Sequence, residues 1–436
     1  MSLANRLKGR RRFLKQLAGG SLGLLGFPSI VPAKALGLEN SVLPNDRIRL
    51  GFIGMGAQGT YLIRAFLNEP GTQVLAVCDV DGQKKQRARN IAEEYYKDQN
   101  GSGSFRGIQE YKDYQEILAC SDIDAVVTAL PDHWHAIAAI EAAKAGKDIY
   151  CEKPLANSIR ECRAMVHAAR QFGQVFQTGS MQRSDDKFRF ACELVRNGYI
   201  GEIQHVIANI GGPPQEDDLP AEPAPDYLDW DRWLGPAPWR PYSSVLSPPI
   251  SFTGFPNWRN YWNYGGGGMT DWGAHHYDIA QWGLGMDASG PVEVIPPDSQ
   301  DVKVLTYKYA NGVVLTRQGG ANGVLFTGTE GKVEVNRGYL RTWPDSLQRV
   351  RLKPDDLHLY VSRNHRADWL ECLRMRRRPI CDVEIGCRSA AVCHLGNIAY
   401  KLNRPLKWDP VTELFQDDPE ANRVLGYSYR APWSLG

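Results

Sequence analysis

The chain has 436 residues, 43% hydrophobic and 23% charged. These are the proportions of a soluble globular protein with room for two or three domains, each with its own core. Its formal charge is +2, but residues 1–35 hold Arg6, Lys8, Arg10, Arg11, Arg12, Lys15 and Lys34 and no acid, so the remainder stands at −5, which argues against nucleic acid as a partner.

The first residues read as an address rather than as fold. A twin arginine in Arg10-Arg-Arg-Phe-Leu-Lys15 precedes a Gly- and Leu-rich apolar stretch, 17–31, and a small-x-small site, Ala33-Lys-Ala35. This resembles a bacterial twin-arginine export signal, which places the mature protein in the periplasm or otherwise outside the cytoplasm. The apolar stretch is short for a spanning helix. An uncleaved anchor is the alternative; after cleavage no stable membrane insertion is expected. Residues 36–46 read as a linker.

An apolar run, 48–53, then reads as a buried strand. It breaks into Gly54-Met55-Gly56-Ala57-Gln58-Gly59, and helical spacing follows over 61–67. Strand, glycine turn and helix is the setting in which G-x-G-x-x-G binds a dinucleotide. Gly54 makes the tight turn, Gly56 admits the pyrophosphate, and Gly59 lets the helix pack on the strand. The helix start offers unpaired N–H groups to the phosphates. A second strand, 73–79, ends in Asp79, twenty residues past Gly59. A carboxylate there accepts hydrogen bonds from ribose hydroxyls and repels a 2′-phosphate, favouring NAD over NADP.

Strand and helix go on alternating: helix 81–97, loop 99–104, a short helix from Tyr114, strand 123–130, helix 135–145, strand 148–151, helix 160–172 and strand 174–178. Such alternation implies βαβ units and a doubly wound parallel sheet of the Rossmann type, over 47–179. The pattern then changes. A helix at 187–197 and a strand at 203–209 precede a Pro-, Asp- and Trp-rich stretch, 211–258, of the kind that forms functional loops. Strands follow at 302–307, 313–316, 324–327 and 332–335, joined by Asn311-Gly and Glu330-Gly turns that suit antiparallel hairpins. Helices at 365–376 and 384–402 complete an α+β domain, 180–408, with a mostly antiparallel open sheet. Such a sheet face suggests a homo-oligomer. The tail, 409–436, is aromatic enough (Tyr427, Tyr429, Trp433) to dock on its own or a neighbouring subunit. The nine cysteines follow no short regular spacing and make no disulfide framework. Cys78 and Cys151 read as core residues, and a bridge among the C-terminal cysteines stays open.

Three stretches can carry chemistry: Leu130-Pro131-Asp-His-Trp-His135, Cys151-Glu152-Lys153-Pro154, and Gly265-Gly-Gly-Gly-Met-Thr-Asp271-Trp-Gly-Ala-His275-His276. The first two end parallel strands, where α/β folds bind ligands. Asp271 and His275 are four apart, one helical turn on the same side. A carboxylate there is expected to raise the imidazole pKa and orient the ring as a general base. Lys153 can polarise an alcohol or carbonyl oxygen. His275 could instead be a satisfied core histidine. His133, His135, His275, His276 and Asp271 also have spacings a metal could use, but a dinucleotide already supplies the redox agent, so no metal is expected.

With these residues in view, the chain resembles the Gfo/Idh/MocA family of glucose–fructose oxidoreductase and inositol dehydrogenase relatives. The carriers are the glycine turn, Asp79, Leu130-Pro131…His135, Glu152-Lys153-Pro154 and Asp271-x-x-x-His275. The resemblance implies a nucleotide-binding fold followed by an α/β domain whose open sheet commonly forms an oligomer interface. It implies NAD held by Gly54, Met55, Gly56, Ala57, Gln58, Gly59, Asp79, Leu130, Pro131, His135, Glu152 and Lys153. The family's lysine falls on Lys153, and the aspartate and histidine of its inositol-dehydrogenase-like members fall on Asp271 and His275. The expected activity is NAD-dependent hydride transfer at a hydroxyl of a sugar, glycoside or cyclitol, such as glycoside C3. The alternative is an NAD-dependent glycosidase using transient C3 oxidation and elimination.

Overall fold

The computed structural model describes residues 46–100, 107–298 and 301–435. The expected signal, 1–35, and the linker, 36–46, lie outside the described residues apart from Asp46. Among the described residues no helix is long and apolar enough to cross a membrane.

The first sheet is built from β1 (Ile48–Ile53), α1 (Ala57–Leu67), β2 (Thr72–Cys78), α2 (Gly82–Asn100), β3 (Gln109–Tyr111), α3 (Tyr114–Ala119), β4 (Ala125–Thr128), α4 (Asp132–Lys144), β5 (Asp148–Cys151), α5 (Ile159–Phe172) and β6 (Phe176–Thr178). Its order is β3-β2-β1-β4-β5-β6, parallel throughout. β4 and β5 are buried at every position, as expected of strands covered on both faces by helices. The order reverses between β1 and β4. The connections leaving these two strands therefore diverge and open a crevice at their C-terminal ends.

The second half adds α6 (Asp186–Arg196), β7 (Ile203–Asn209), α7 (Trp230–Leu234), α8 (Gly267–Asp271), α9 (Gly273–Leu284), β8 (Glu293–Ile295), β9 (Thr306–Lys308), β10 (Val314–Gln318), β11 (Gly323–Gly328), β12 (Lys332–Asn336), β13 (Tyr339–Trp343), α10 (His365–Met375), α11 (Val383–Leu402), β14 (Leu406–Asp409), β15 (Leu414–Phe415) and α12 (Pro419–Arg423). Its nine-stranded sheet runs β13-β12-β11-β7-β10-β9-β8-β14-β15. The pairing is antiparallel except for β7 with β10. Alternate residues Val206, Ala208, Leu315, Val324 and Phe326 pack under Phe188 of α6, Tyr277 and Trp282 of α9, and Leu395 of α11.

Several elements depart from the expected outline. The strand expected at 302–307 shortens to β9. Val302 turns back on Asp298, donating to its carboxylate at 2.9 Å while its carbonyl accepts from the Asp298 N–H at 3.0 Å, so it never joins the ladder. α10 follows the second sheet in sequence but packs on the first, with the Trp369 ring 5.6 Å from both Phe66 and Tyr150. The tail begins as β15, closed against β14 by Trp408 and Phe415 at 5.0 Å. It then lies on its own chain: the Tyr427 hydroxyl donates to Glu161 at 2.6 Å, the Tyr429 hydroxyl reaches the same oxygen, and Trp433 meets Trp134 at 4.7 Å.

Candidate active site

Gly54 leaves β1 at φ +88°, and a Cβ there would lie 2.6 Å from the Ala129 carbonyl. A Cβ on Gly59 would lie 1.9 Å from the Gly54 carbonyl, so α1 and β1 pack this closely only through glycine. At Gly56 a Cβ would meet nothing within 4 Å, because that position opens onto a cavity. Gly56 is also the cap residue of α1 and offers no side-chain acceptor to the helix start, which leaves backbone N–H groups for an anion. Asp79, at the end of β2, holds the turn: its carboxylate accepts from the Met55 N–H at 2.6 Å and the Asp81 N–H at 2.8 Å. Burial raises its pKa against the opposing pull of Lys84. An open glycine cradle, a bare helix start and a carboxylate at the next strand end fit a dinucleotide.

The cavity has a volume of about 540 Å³. Gly56, Ala57, Gln58 and Asp79 wall it together with Leu130, Pro131, Glu152 and Lys153 from the first half, and Asp271 and His275 from the second. The Lys153–Pro154 peptide is cis. The Lys153 ammonium donates to the Asp271 carboxylate at 2.7 Å and to the Asp271 carbonyl at 2.8 Å. Arg259 approaches the same carboxylate oxygen at 3.6 Å. Burial pushes Asp271 up, but Lys153, Arg259 and the Lys153 hydrogen bond outweigh it and hold the carboxyl below its usual range.

Asp271 therefore serves Lys153 rather than His275, and the expected rise in the His275 pKa is corrected. Burial first, then Lys153 and Arg337, hold the imidazole well below its usual value. The reason is local: the helix breaks at Trp272, between α8 and α9, and the Asp271 carboxylate turns to the ammonium. His275 is 6% exposed, neutral, and its buried Nδ1 has no protein partner. Its helix is anchored by Arg183, 1% exposed, whose Nε meets Asp278 at 2.9 Å while the other guanidinium nitrogens reach Asp287 at 3.1 and 2.7 Å. Ser389 donates to Asp278 at 2.7 Å. Breaking such a buried pair costs roughly 3–5 kcal/mol, so the orientation of α9 is firmly set.

Two of the residues expected against NAD stand elsewhere. The Met55 side chain is fully buried, and only its backbone takes part in the turn. His135, 1% exposed, lies between the Pro154 carbonyl (Nδ1, 2.8 Å) and the Leu130 carbonyl (Nε2, 2.9 Å). It sits beneath the cavity wall and fastens the Leu130-Pro131 turn to the loop that carries Lys153. Burial pushes it down to about 4. Glu152 accepts from Gln58 at 2.8 Å and, at 3.2 Å, from the Lys153 N–H, tying the glycine turn to the same loop. Of the other histidines once set against a metal, His133 bonds the Trp233 carbonyl at 3.2 Å and His276 stacks flat on Trp272. The sequence reading passed over Asp132, Arg337 and Trp433 as wall residues. Asp132 opens α4 at 3% exposure, and burial raises its carboxyl well above the usual range. The signal available for it was its place directly after the strand-ending Pro131.

Residues 48–180 match the sequence profile of the oxidoreductase family described as an NAD-binding Rossmann fold, and residues 214–435 match that family's C-terminal alpha/beta domain. The chain belongs to the Gfo/Idh/MocA oxidoreductase family. Its first domain is thus an NAD-binding Rossmann fold. A relative from Shewanella pealeana, named a glycosyl hydrolase family 109 protein, is 31% identical over 209 residues, covering 45% of this chain and 44% of the relative. The chain spans less than half the length of the curated relatives it matches. Among solved structures, the WlbA dehydrogenase from Bordetella pertussis, in complex with NADH and UDP-GlcNAcA, is similar at TM-score 0.58 and 18% identity, covering 83% of this chain and 98% of that one. Myo-inositol 2-dehydrogenase from Lactobacillus plantarum is similar at 0.54 and 19% identity, covering 83% and 99%.

Proposed function

We propose that the protein is an NAD-dependent oxidoreductase acting on a hydroxyl of a sugar, glycoside or cyclitol, with C3 as the reacting carbon of a glycoside. The observation that carries this reading is the meeting of Lys153, Asp271 and His275 in the cavity walled by the glycine turn. NAD, held by Gly56, Ala57, Gln58 and Asp79, supplies the hydride acceptor or donor when bound. The Lys153 ammonium has three donors; Asp271 takes two, through its carboxylate and its carbonyl, and the third is left for the substrate oxygen. Asp271 so fixes the ammonium and balances its charge. His275, kept neutral by burial and the two cations, accepts the hydroxyl proton. The names of an inositol dehydrogenase and a sugar-nucleotide dehydrogenase among the structural relatives support this substrate class.

Hydrolysis of a glycoside is the second reading, supported by the glycosyl hydrolase name of the Shewanella relative. Products separate the two: an oxidised sugar with NADH formed, against free sugar with no net redox change. The test is turnover of a panel of sugars, glycosides and cyclitols by wild type, Lys153→Ala and His275→Ala, with bound NAD measured for each. Lys153→Ala is expected to abolish turnover with NAD still bound, and His275→Ala to lose roughly 10²–10⁴-fold. Near wild-type rates in both variants would overturn the assignment. We also propose export by the twin-arginine route, read by cell fractionation. Self-association is proposed through the second sheet's face away from α6, α9 and α11, where half-buried Ile207 lies between Leu325 and Thr316.

A further inference from the structure

The basic side chains lining the cavity are not equally neutralised. Lys84 meets Asp81 at 3.1 Å, Lys112 meets Asp229 at 2.7 Å, and Arg232 meets Asp113 at 2.7 Å. Lys153 and Arg259 share Asp271 at 2.7 and 3.6 Å. Arg337 also lines the cavity, and among the described residues no carboxylate lies within salt-bridge distance of it. Its position is nonetheless built. It precedes Gly338 (φ +91°) in the turn between β12 and β13, and its guanidinium lies over the Trp272 ring at 4.9 Å. A guanidinium over an aromatic ring is held there by its charge, and its N–H groups suit a two-oxygen acceptor.

The surroundings add to the imbalance. Lys153, Arg259 and Arg337 face one ionised carboxylate, Asp271, and the neutral His275. Asp132 and Glu152, the other carboxyls nearby, are buried, and burial raises both pKa values. Arg337 is exposed, so a neutral sugar would leave its guanidinium to water, whereas an anionic one would meet it directly.

We propose that the substrate is an anionic sugar whose oxyanion, the carboxylate of a uronide or a sulfate ester, is held by Arg337. This rests on the sugar-oxidoreductase reading above and names its substrate class. An arginine over an aromatic ring binds such a group through two parallel hydrogen bonds, where a neutral hydroxyl offers one acceptor.

The test uses the full chain loaded with NADH and titrated calorimetrically. The probes are methyl uronides, methyl 6-O-sulfoglycosides and neutral methyl glycosides of the gluco, galacto and manno series. One anionic class is expected to bind at least 10-fold tighter than its neutral counterpart, and which one does so separates carboxylate from sulfate. Arg337→Gln is expected to bring the ratio of anionic to neutral affinity close to one, and Arg337→Lys to restore part of it. Equal or tighter binding of neutral sugars, an unchanged ratio in Arg337→Gln, or binding of no probe would overturn the proposal. Anionic probes that bind by way of Arg337 but are never turned over would sink the oxidoreductase reading instead. Neutral sugars turned over without anion binding would leave that reading and sink this one.

Discussion

His135 offers a sharp test because the sequence and the structure assign it different work. Replacing it with Ala removes the ring between Leu130 and Pro154; the neutral ring donates its one N–H to one of these two carbonyls, which then loses its partner. The orphaned acceptor costs about 1–3 kcal/mol, so the loss, with the ring's packing, is roughly 2–4 kcal/mol against a usual total of ~5–15. His135→Gln keeps one bond and serves where the alanine variant fails to fold. The pH dependence has a definite sign. The ring's pKa is about 4 when folded and ~6.5 when unfolded, so the unfolded chain takes up the proton more readily. The stabilisation is therefore full above pH ~6.5 and is lost as pH falls through that value toward about 4. At pH 5 the loss is ~2 kcal/mol. Denaturant titrations of wild type and His135→Gln at pH 7.5 and pH 5.0 should show the wild-type advantage shrinking by that amount. Turnover should fall ~100-fold as the Lys153 loop shifts by about an ångström, while NAD affinity stays within a few-fold. Lost NAD affinity with an intact rate, or a stability gap indifferent to pH, would refute the fastening role.

Trp433→Ala removes a wall of the cavity and the 4.7 Å ring contact with Trp134. NAD affinity, read by fluorescence titration, should weaken about 10-fold, the equivalent of roughly 1.4 kcal/mol; an unchanged affinity would make the tail packing only. Light scattering at micromolar concentration should find more than one copy of the chain per particle, and a monomer would remove the proposed sheet interface.

The parts legible in the sequence were those set by short-range periodicity. β1, the glycine turn and α1 are contiguous, and apolar runs such as β4 and β5 could only be buried strands. Pairing was less legible. β7 lies parallel to β10 across a hundred residues, and β14 and β15 are too short to carry a pattern. Spacing also misled where the backbone interrupts a helix. Asp271 and His275 are four apart, but the break at Trp272 and the nearby Lys153 redirect the carboxylate. Arg337 was invisible because its meaning lies in the partner it lacks, which no local motif records.

The placement of α10 bears on how this family is taken apart. Trp369, Leu370 and Leu373 fill the same core as Phe52, Phe66 and Tyr150, although the family's nucleotide-binding segment closes at residue 180. A chimera cut at that boundary would join one relative's strands to another's covering helix. The graft would meet mismatched rings at a position nearly two hundred residues past the splice. Exchanging cofactor modules between such enzymes therefore means carrying residues 365–375 along with the first 180, as two pieces of one cassette.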